Sequence, residues 1–130
     1  MNSAGEVLIV RSNKWGNKFT VPGGHIELGE RAEEAIRREV KEETGLNVSS
    51  ARLLLIQEAI YPEDYFKHEH YLFMDYLCTT DDPHVKLDGR ELQEYFWLLP
   101  NKALELDLEQ YTRNFVTAYL AESNGRPSRT

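Results

Sequence analysis

The sequence predicts an α/β domain in which one mixed sheet is covered by helices. Three observations carry this. An amphipathic helical pattern at residues 31 to 43 interrupts strand-like sequence on both sides. Residues 51 to 60, ARLLLIQEAI, and 69 to 79, EHYLFMDYLCT, read as long apolar and aromatic strands. A second helical pattern follows near the end of the chain. At 130 residues there is enough chain for one domain with a real core.

In order, residues 1 to 5 are a short polar lead. EVLIVR, residues 6 to 11, is a strand with Val7, Ile9 and Arg11 on one face. Residues 12 to 17, SNKWGN, carry turn residues. Lys18 to Val21 forms a second strand, ended by Pro22-Gly23-Gly24. With about 100° per residue, Ala35, Ile36 and Val40 fall within about 80° of Ala32 and give the helix an apolar stripe. Thr44-Gly45-Leu46 stops it, with glycine at the C′ position. The continuous apolar run at 51 to 60 predicts a strand buried on both sides. Residues 61 to 68 form an aromatic loop, residues 80 to 90 an acidic loop, and ELQEYFWL, 91 to 98, another strand. A short helix starts at Asn101 or Lys102. From about Leu108 to Ala121 a helix puts Thr112, Phe115, Val116, Tyr119 and Leu120 on one face. Residues 123 to 130, SNGRPSRT, are expected to be a polar, disordered tail.

Charge and composition narrow the function. A net charge of −7 argues against nucleic-acid polymers and anionic membrane surfaces as partners. The single Cys78 allows no internal disulfide. No apolar run approaches membrane-spanning length, and no signal-peptide pattern opens the sequence. A cytoplasmic location is the expectation.

The chemistry lies in residues 24 to 46, GHIELGERAEEAIRREVKEETGL. Glu39 and Glu43 fall inside the apolar stripe of the helix, and Glu42 at its edge. They are neighbours at i, i+3 and i, i+4. Partly buried like charges are costly unless a cation neutralises them, and hard divalent cations take oxygen ligands. Arg38 can grip carboxylates bidentately and fix their rotamers.

This stretch resembles the signature of the Nudix hydrolases. The pattern is Gly, five residues, Glu, seven residues, Arg-Glu, an aliphatic, any residue, Glu-Glu, any residue, Gly, an aliphatic. Gly24, Glu30, Arg38, Glu39, Val40, Glu42, Glu43, Gly45 and Leu46 fill every position. The resemblance implies an α/β/α sandwich with a mixed β-sheet between helices, spanning residues 1–122 as a single domain. It implies a hydrolase of a phosphoanhydride in a nucleoside diphosphate derivative, with Mg²⁺ as cofactor and Mn²⁺ as a substitute. By the same analogy Glu39, Glu42, Glu43 and a backbone carbonyl of the Gly23-Gly24 loop, at Gly24, hold the metal. Arg38 orients and Glu30 is its partner. Glu42 is the first candidate for general base, with Glu91 and Glu94 as later ones. Family members usually carry a further apolar strand ahead of the one corresponding to residues 6 to 11. An unpaired edge there would be a candidate homodimer surface.

For the substrate, Arg11 and Lys18 border the loop into the box and are candidates for phosphates, with surface solvation the alternative. Tyr61 and Tyr65, with Phe66, are candidates for stacking on a base, with packing or loop anchoring equally open. Trp15 and Trp97 read as packing residues. His25 reads as a solvated loop residue, and His68 and His70 lack a third ligand at a recognisable spacing. Members acting on ADP-ribose often show a proline downstream of the box, as Pro62 is here. Members acting on diadenosine polyphosphates tend to show a tyrosine, as Tyr61 and Tyr65 are. These clues put a small-molecule nucleotide first, of the ADP-ribose or nucleotide-sugar type. Triphosphate pyrophosphohydrolysis is the alternative, and a non-catalytic nucleotide sensor the third reading.

Overall fold

The core is hung on strand β1 (Val7–Ser12). In the computed structural model, which describes residues 1–124, this strand lies between β2 (Phe19–Thr20) and β5 (Leu92–Leu98), antiparallel to both. Its alternate side chains enter two clusters. Leu8 and Val10 meet Leu46 and Leu92, with Val40 and Trp97 packed against them. Ile9 meets Ala103 and Leu108, with Val7 and Phe19 packed against them. Ile9 and Val10 are fully buried, so β1 is the strand covered on both faces.

That burial was expected instead of residues 51 to 60. They form β3 (Ser50–Ile60), which pairs only with β4 (His70–Thr79) among the described residues. Gln57 and Ala59 are buried, while Leu53, Ile56 and Ile60 are 41%, 52% and 61% exposed. The covered face meets the last helix: Gln57 donates to the Tyr111 carbonyl and accepts from Asn114. A run of apolar residues states a wish to be buried. It does not say how many faces the fold will cover.

The α/β class holds. Within it, the strands form two antiparallel sheets, β2-β1-β5 and β3-β4, and among the described residues the parallel pairing of β2 with a later segment is the isolated bridge Phe19–Leu108. The turn Asn13–Trp15 is 3₁₀, followed by Gly16 and Asn17 at positive φ. The second strand is shorter than Lys18 to Val21, because Pro22 has no N–H to continue a ladder.

Helix α1 (Ala32–Thr44) starts one residue later than expected, with Arg31 extended at its N-cap and Glu34 accepting from the Arg31 N–H. Gly45 ends it at φ 74°, its N–H bonded to the Lys41 carbonyl. A short helix α2 (Pro100–Ala103) begins at a proline, where the missing N–H is harmless. Helix α3 (Gln110–Asn124) starts where Glu109, 2% exposed, accepts from the backbone N–H groups of Tyr111 and Thr112. Thr20 of β2 also donates to Glu109 and bonds Thr112, which ties this helix to the short strand. α3 continues through Ser123 and Asn124. The rest of the stretch expected as a tail, 125–130, lies outside the described residues. No helix among the described residues is long and apolar enough to cross a membrane.

Candidate active site

The loop ending β2 delivers Gly23 and Gly24 against the C-terminal half of α1. The Gly23 N–H donates to Glu43, and a Cβ built on Gly24 would sit 2.3 Å from the Glu39 carboxyl carbon. Any side chain at residue 24 would therefore displace Glu39. Glycine at residue 24 thus lets the Glu39 carboxylate lie against the loop, with no call on an unusual φ.

Arg38 is the hub of the cluster. Its Nε and Nη2 hold Glu30 at 2.8 and 3.0 Å. Nη1 reaches Glu39 at 2.7 Å and Glu42 at 3.2 Å, and Nη2 donates to the His25 carbonyl at 3.0 Å. The bidentate grip fixes the loop to the helix. The guanidinium holds Glu30 below the usual carboxylate range, and Glu30 with Glu39 raises Arg38 in turn.

Glu43 is the residue that an ordinary helix would not place here. It is 5% exposed, and burial pushes its carboxyl far above the usual range. Its hydrogen bond to Glu39 and the charges of Glu39 and Glu91 push the same way, while the Gly23 N–H opposes. A bare negative charge on Glu43 is therefore disfavoured where it stands, buried beside Glu39. A hard divalent ion fits this donor set, since it would offset the charge of the neighbouring carboxylate oxygens. Among the described residues no three metal-ligating side chains already converge. Arg38 accounts for that by engaging Glu39 and Glu42. The Glu42 side chain is 59% exposed and has room to turn.

A small cleft of about 50 Å³ opens beside Glu43, lined also by Gly23, Gly24, Lys14, Tyr65 and Glu91. Glu91 is thus brought to the cluster, paired with Lys14 at 2.9 Å. Glu94 is not in this cleft. It faces Arg11 across the β1–β5 ladder, with the Arg11 Nε 3.2 Å from its carboxylate. Arg11 is thereby engaged within the sheet, and Lys18 pairs with Asp64 at 3.2 Å. Tyr65 is in the cleft, 4.5 Å from the Trp15 ring and 5.2 Å from Tyr71. Burial raises its phenol above the ordinary value. Tyr61 is exposed at φ 47° and does not line this cleft. His70 bonds Glu58, and no metal group forms there among the described residues. His25 is exposed, and Trp97 packs in the core with its Nε1 donating to the Pro83 carbonyl.

Two residues were missed in the sequence. Lys14 looks like a solvated turn lysine, and nothing local says that the turn faces Glu91. Asp75 sits inside a strand, bonded by Gln57, and burial pushes it up to about 6. Its only signal was an acid among aromatics.

A family model describing the NUDIX domain matches residues 1–119. The chain is 28% identical over 102 residues to the nucleoside triphosphatase NudI of Escherichia coli K12, covering 74% of this chain and 72% of that protein. Among solved structures, a MutT protein from Methanosarcina mazei Go1 superposes with a TM-score of 0.76 at 25% identity, over 95% of this chain and 88% of that one. The NUDIX domain of Shewanella oneidensis NrtR, solved with ADP ribose, gives 0.76 at 14% identity, over 92% and 78%. With the box glutamates gathered on one turn against the double glycine, the chain belongs to the Nudix hydrolase family.

Proposed function

We propose that this chain hydrolyses a phosphoanhydride bond in a small nucleotide, using Mg²⁺ or Mn²⁺ held by Glu39, Glu42, Glu43 and the Gly24 carbonyl. The observation that carries this is the placement of Glu43, buried against Glu39 and the Gly23 N–H. When bound, the cation would lower the pKa of a coordinated water and offset charge building on the phosphate oxygens.

The chain's own residues do the rest. Arg38 holds Glu30 and Glu39 between loop and helix, while the more exposed Glu42 turns from Arg38 toward the cation. Glu42, at the exposed rim, is the first candidate to take a proton from the attacking water. Glu91 is the second, because it borders the cleft beside Glu43. Glu94 falls behind both, since Arg11 holds it elsewhere. Lys14 stands beside Glu91 and is better placed than Arg11 or Lys18 to meet a phosphate. Tyr65 offers a ring at the cleft for a base, and Tyr61 does not.

Sequence alone put diphosphate derivatives first. The relationship to a nucleoside triphosphatase moves triphosphates ahead, with release of pyrophosphate. ADP-ribose or a nucleotide sugar is the second reading, favoured by the likeness to a domain solved with ADP ribose. A steady-state panel of triphosphates, ADP-ribose, nucleotide sugars and dinucleotides tests both. Pyrophosphate from a triphosphate supports the first and AMP from ADP-ribose the second. Binding without product under every metal would overturn both. A single domain over residues 1–122 and a cytoplasmic location complete the reading, supported by the lone Cys78.

A further inference from the structure

The loop after β3 is stitched to the turn that follows β1. The Phe66 N–H donates to the Lys14 carbonyl at 2.8 Å, and the Tyr65 ring lies against Trp15. The ends of the loop are joined where the Tyr61 N–H donates to the Glu69 carbonyl at 3.1 Å. This places Phe66 beside the cleft, its ring edge-to-face with Tyr65 at 4.9 Å. Packing does not account for Phe66, which is 53% exposed. What gathers on it is charge. The ammonium groups of Lys14 and Lys67 each stand 5.4 Å from the centre of its ring. They are therefore no more than twice that distance apart.

An aromatic ring attracts cations to its face and so limits where two flexible lysine heads can go. In a chain of net charge −7, two ammonium groups converging beside a cleft make a local positive pole. Lys14 is already engaged, 2.9 Å from Glu91 inside the cleft. Lys67 forms no ion pair among the described residues, and Asp64 of the same loop is taken by Lys18. Lys67 thus supplies charge that nothing in the fold uses. Neither Phe66 nor Lys67 lines the cleft itself, so this charge lies outward of Lys14 and Glu91. A nucleobase stacking on Phe66 would have to displace an ammonium group from the ring. A chain of phosphates would meet both ammonium groups as they stand.

We propose that Lys14 and Lys67, held on Phe66, form the subsite for the phosphate tail of a nucleoside triphosphate, with Lys14 on the β-phosphate and Lys67 on the γ-phosphate. Lys67 is then the residue that sets specificity. It pairs with a charged terminal phosphate and has no counterpart in the neutral sugar that takes the same place in ADP-ribose or a nucleotide sugar. Phe66 is a positioning residue that keeps the two ammonium groups together. This inference rests on the hydrolysis proposed above and names the substrate class of that site.

The test is calorimetric binding to the whole chain, at fixed Mg²⁺, of two analogues with a methylene bridge between the α- and β-phosphates, one of ATP and one of ADP-ribose. Neither can be cleaved there, so the readout is separate from turnover. Lys67→Ala should weaken the ATP analogue about tenfold or more and the ADP-ribose analogue less than about twofold. Lys67→Arg keeps the charge and should restore most of the affinity. Phe66→Leu should weaken the ATP analogue selectively as well. Lys102→Ala removes the same charge from a lysine paired with Glu105 and should change neither affinity. Equal weakening of both analogues by Lys67→Ala, or no weakening, would overturn the proposal, as would the same loss in Lys102→Ala. A chain that turns over ADP-ribose but binds the ATP analogue no better than the other overturns this inference and leaves hydrolysis standing. One that binds neither analogue and turns over no substrate overturns both.

Discussion

At the scale of single residues, the site is defined by what its neighbours cannot be. Gly24 lies so close to Glu39 that one added methyl must move the carboxylate. Gly24→Ala should reduce turnover at least about tenfold, which is about 1.4 kcal/mol in the barrier, with little change in thermal midpoint. Saturation by Mg²⁺ should also require more metal. Glu43→Gln removes a buried acid that is uncomfortable without a cation. It should lower kcat at least about a hundredfold, or about 2.7 kcal/mol, while leaving the metal-free fold as stable as before or more so. Calorimetry and steady-state rates on the same preparation check both halves. Asp75 supplies a pH test away from the metal site. The unfolded chain ionises Asp75 near its ordinary value, whereas burial in the fold delays ionisation to about 6. Between those values the folded state holds the extra proton, so raising the pH through that window favours unfolding. With partial exposure taken into account, about 1–2 kcal/mol should be lost from below pH 4 to above pH 6. Asp75→Asn should flatten that part of the stability profile, as denaturant melts at several pH values will show.

At the scale of elements, legibility followed how local the signal was. Helix α1 was readable because its stripe, its stop at Gly45 and its carboxylates all lie within one stretch of chain. The cluster of Glu39, Glu43, Arg38 and Glu30 was readable for the same reason. The two strands exchanged roles because burial depends on distant partners. β1 has only six residues but sits between β2 and β5, whereas the eleven of β3 form an edge. Lys14 beside Glu91, and Arg11 held by Glu94, are products of register across β5 and its loop, which no local pattern encodes. The start of α3 also depends on a distant strand. Glu109 caps the helix and accepts from Thr20, so Glu109→Ala should cost roughly 1–2 kcal/mol. That corresponds to a fall of roughly 3–8 °C in thermal midpoint.

At the scale of the molecule, two antiparallel sheets and the helices packed on them place Glu43 of the box in the wall of a cleft, in a chain that carries net charge −7. A polyphosphate would be repelled at long range, so the local balance must be reversed by metal and by Lys14 and Arg38. Raising ionic strength screens the long-range repulsion more than the buried cluster. Moderate salt should therefore leave KM unchanged or lower it at saturating Mg²⁺, a trend that initial rates at several salt concentrations measure directly.

The most direct test of the metal assignment is an anomalous difference map from crystals grown with Mn²⁺. The account predicts a peak bounded by Glu39, Glu42, Glu43 and the Gly24 carbonyl, with Glu42 turned away from Arg38. A map with no peak there, and with Glu39 and Glu42 still bonded to Arg38, would contradict it.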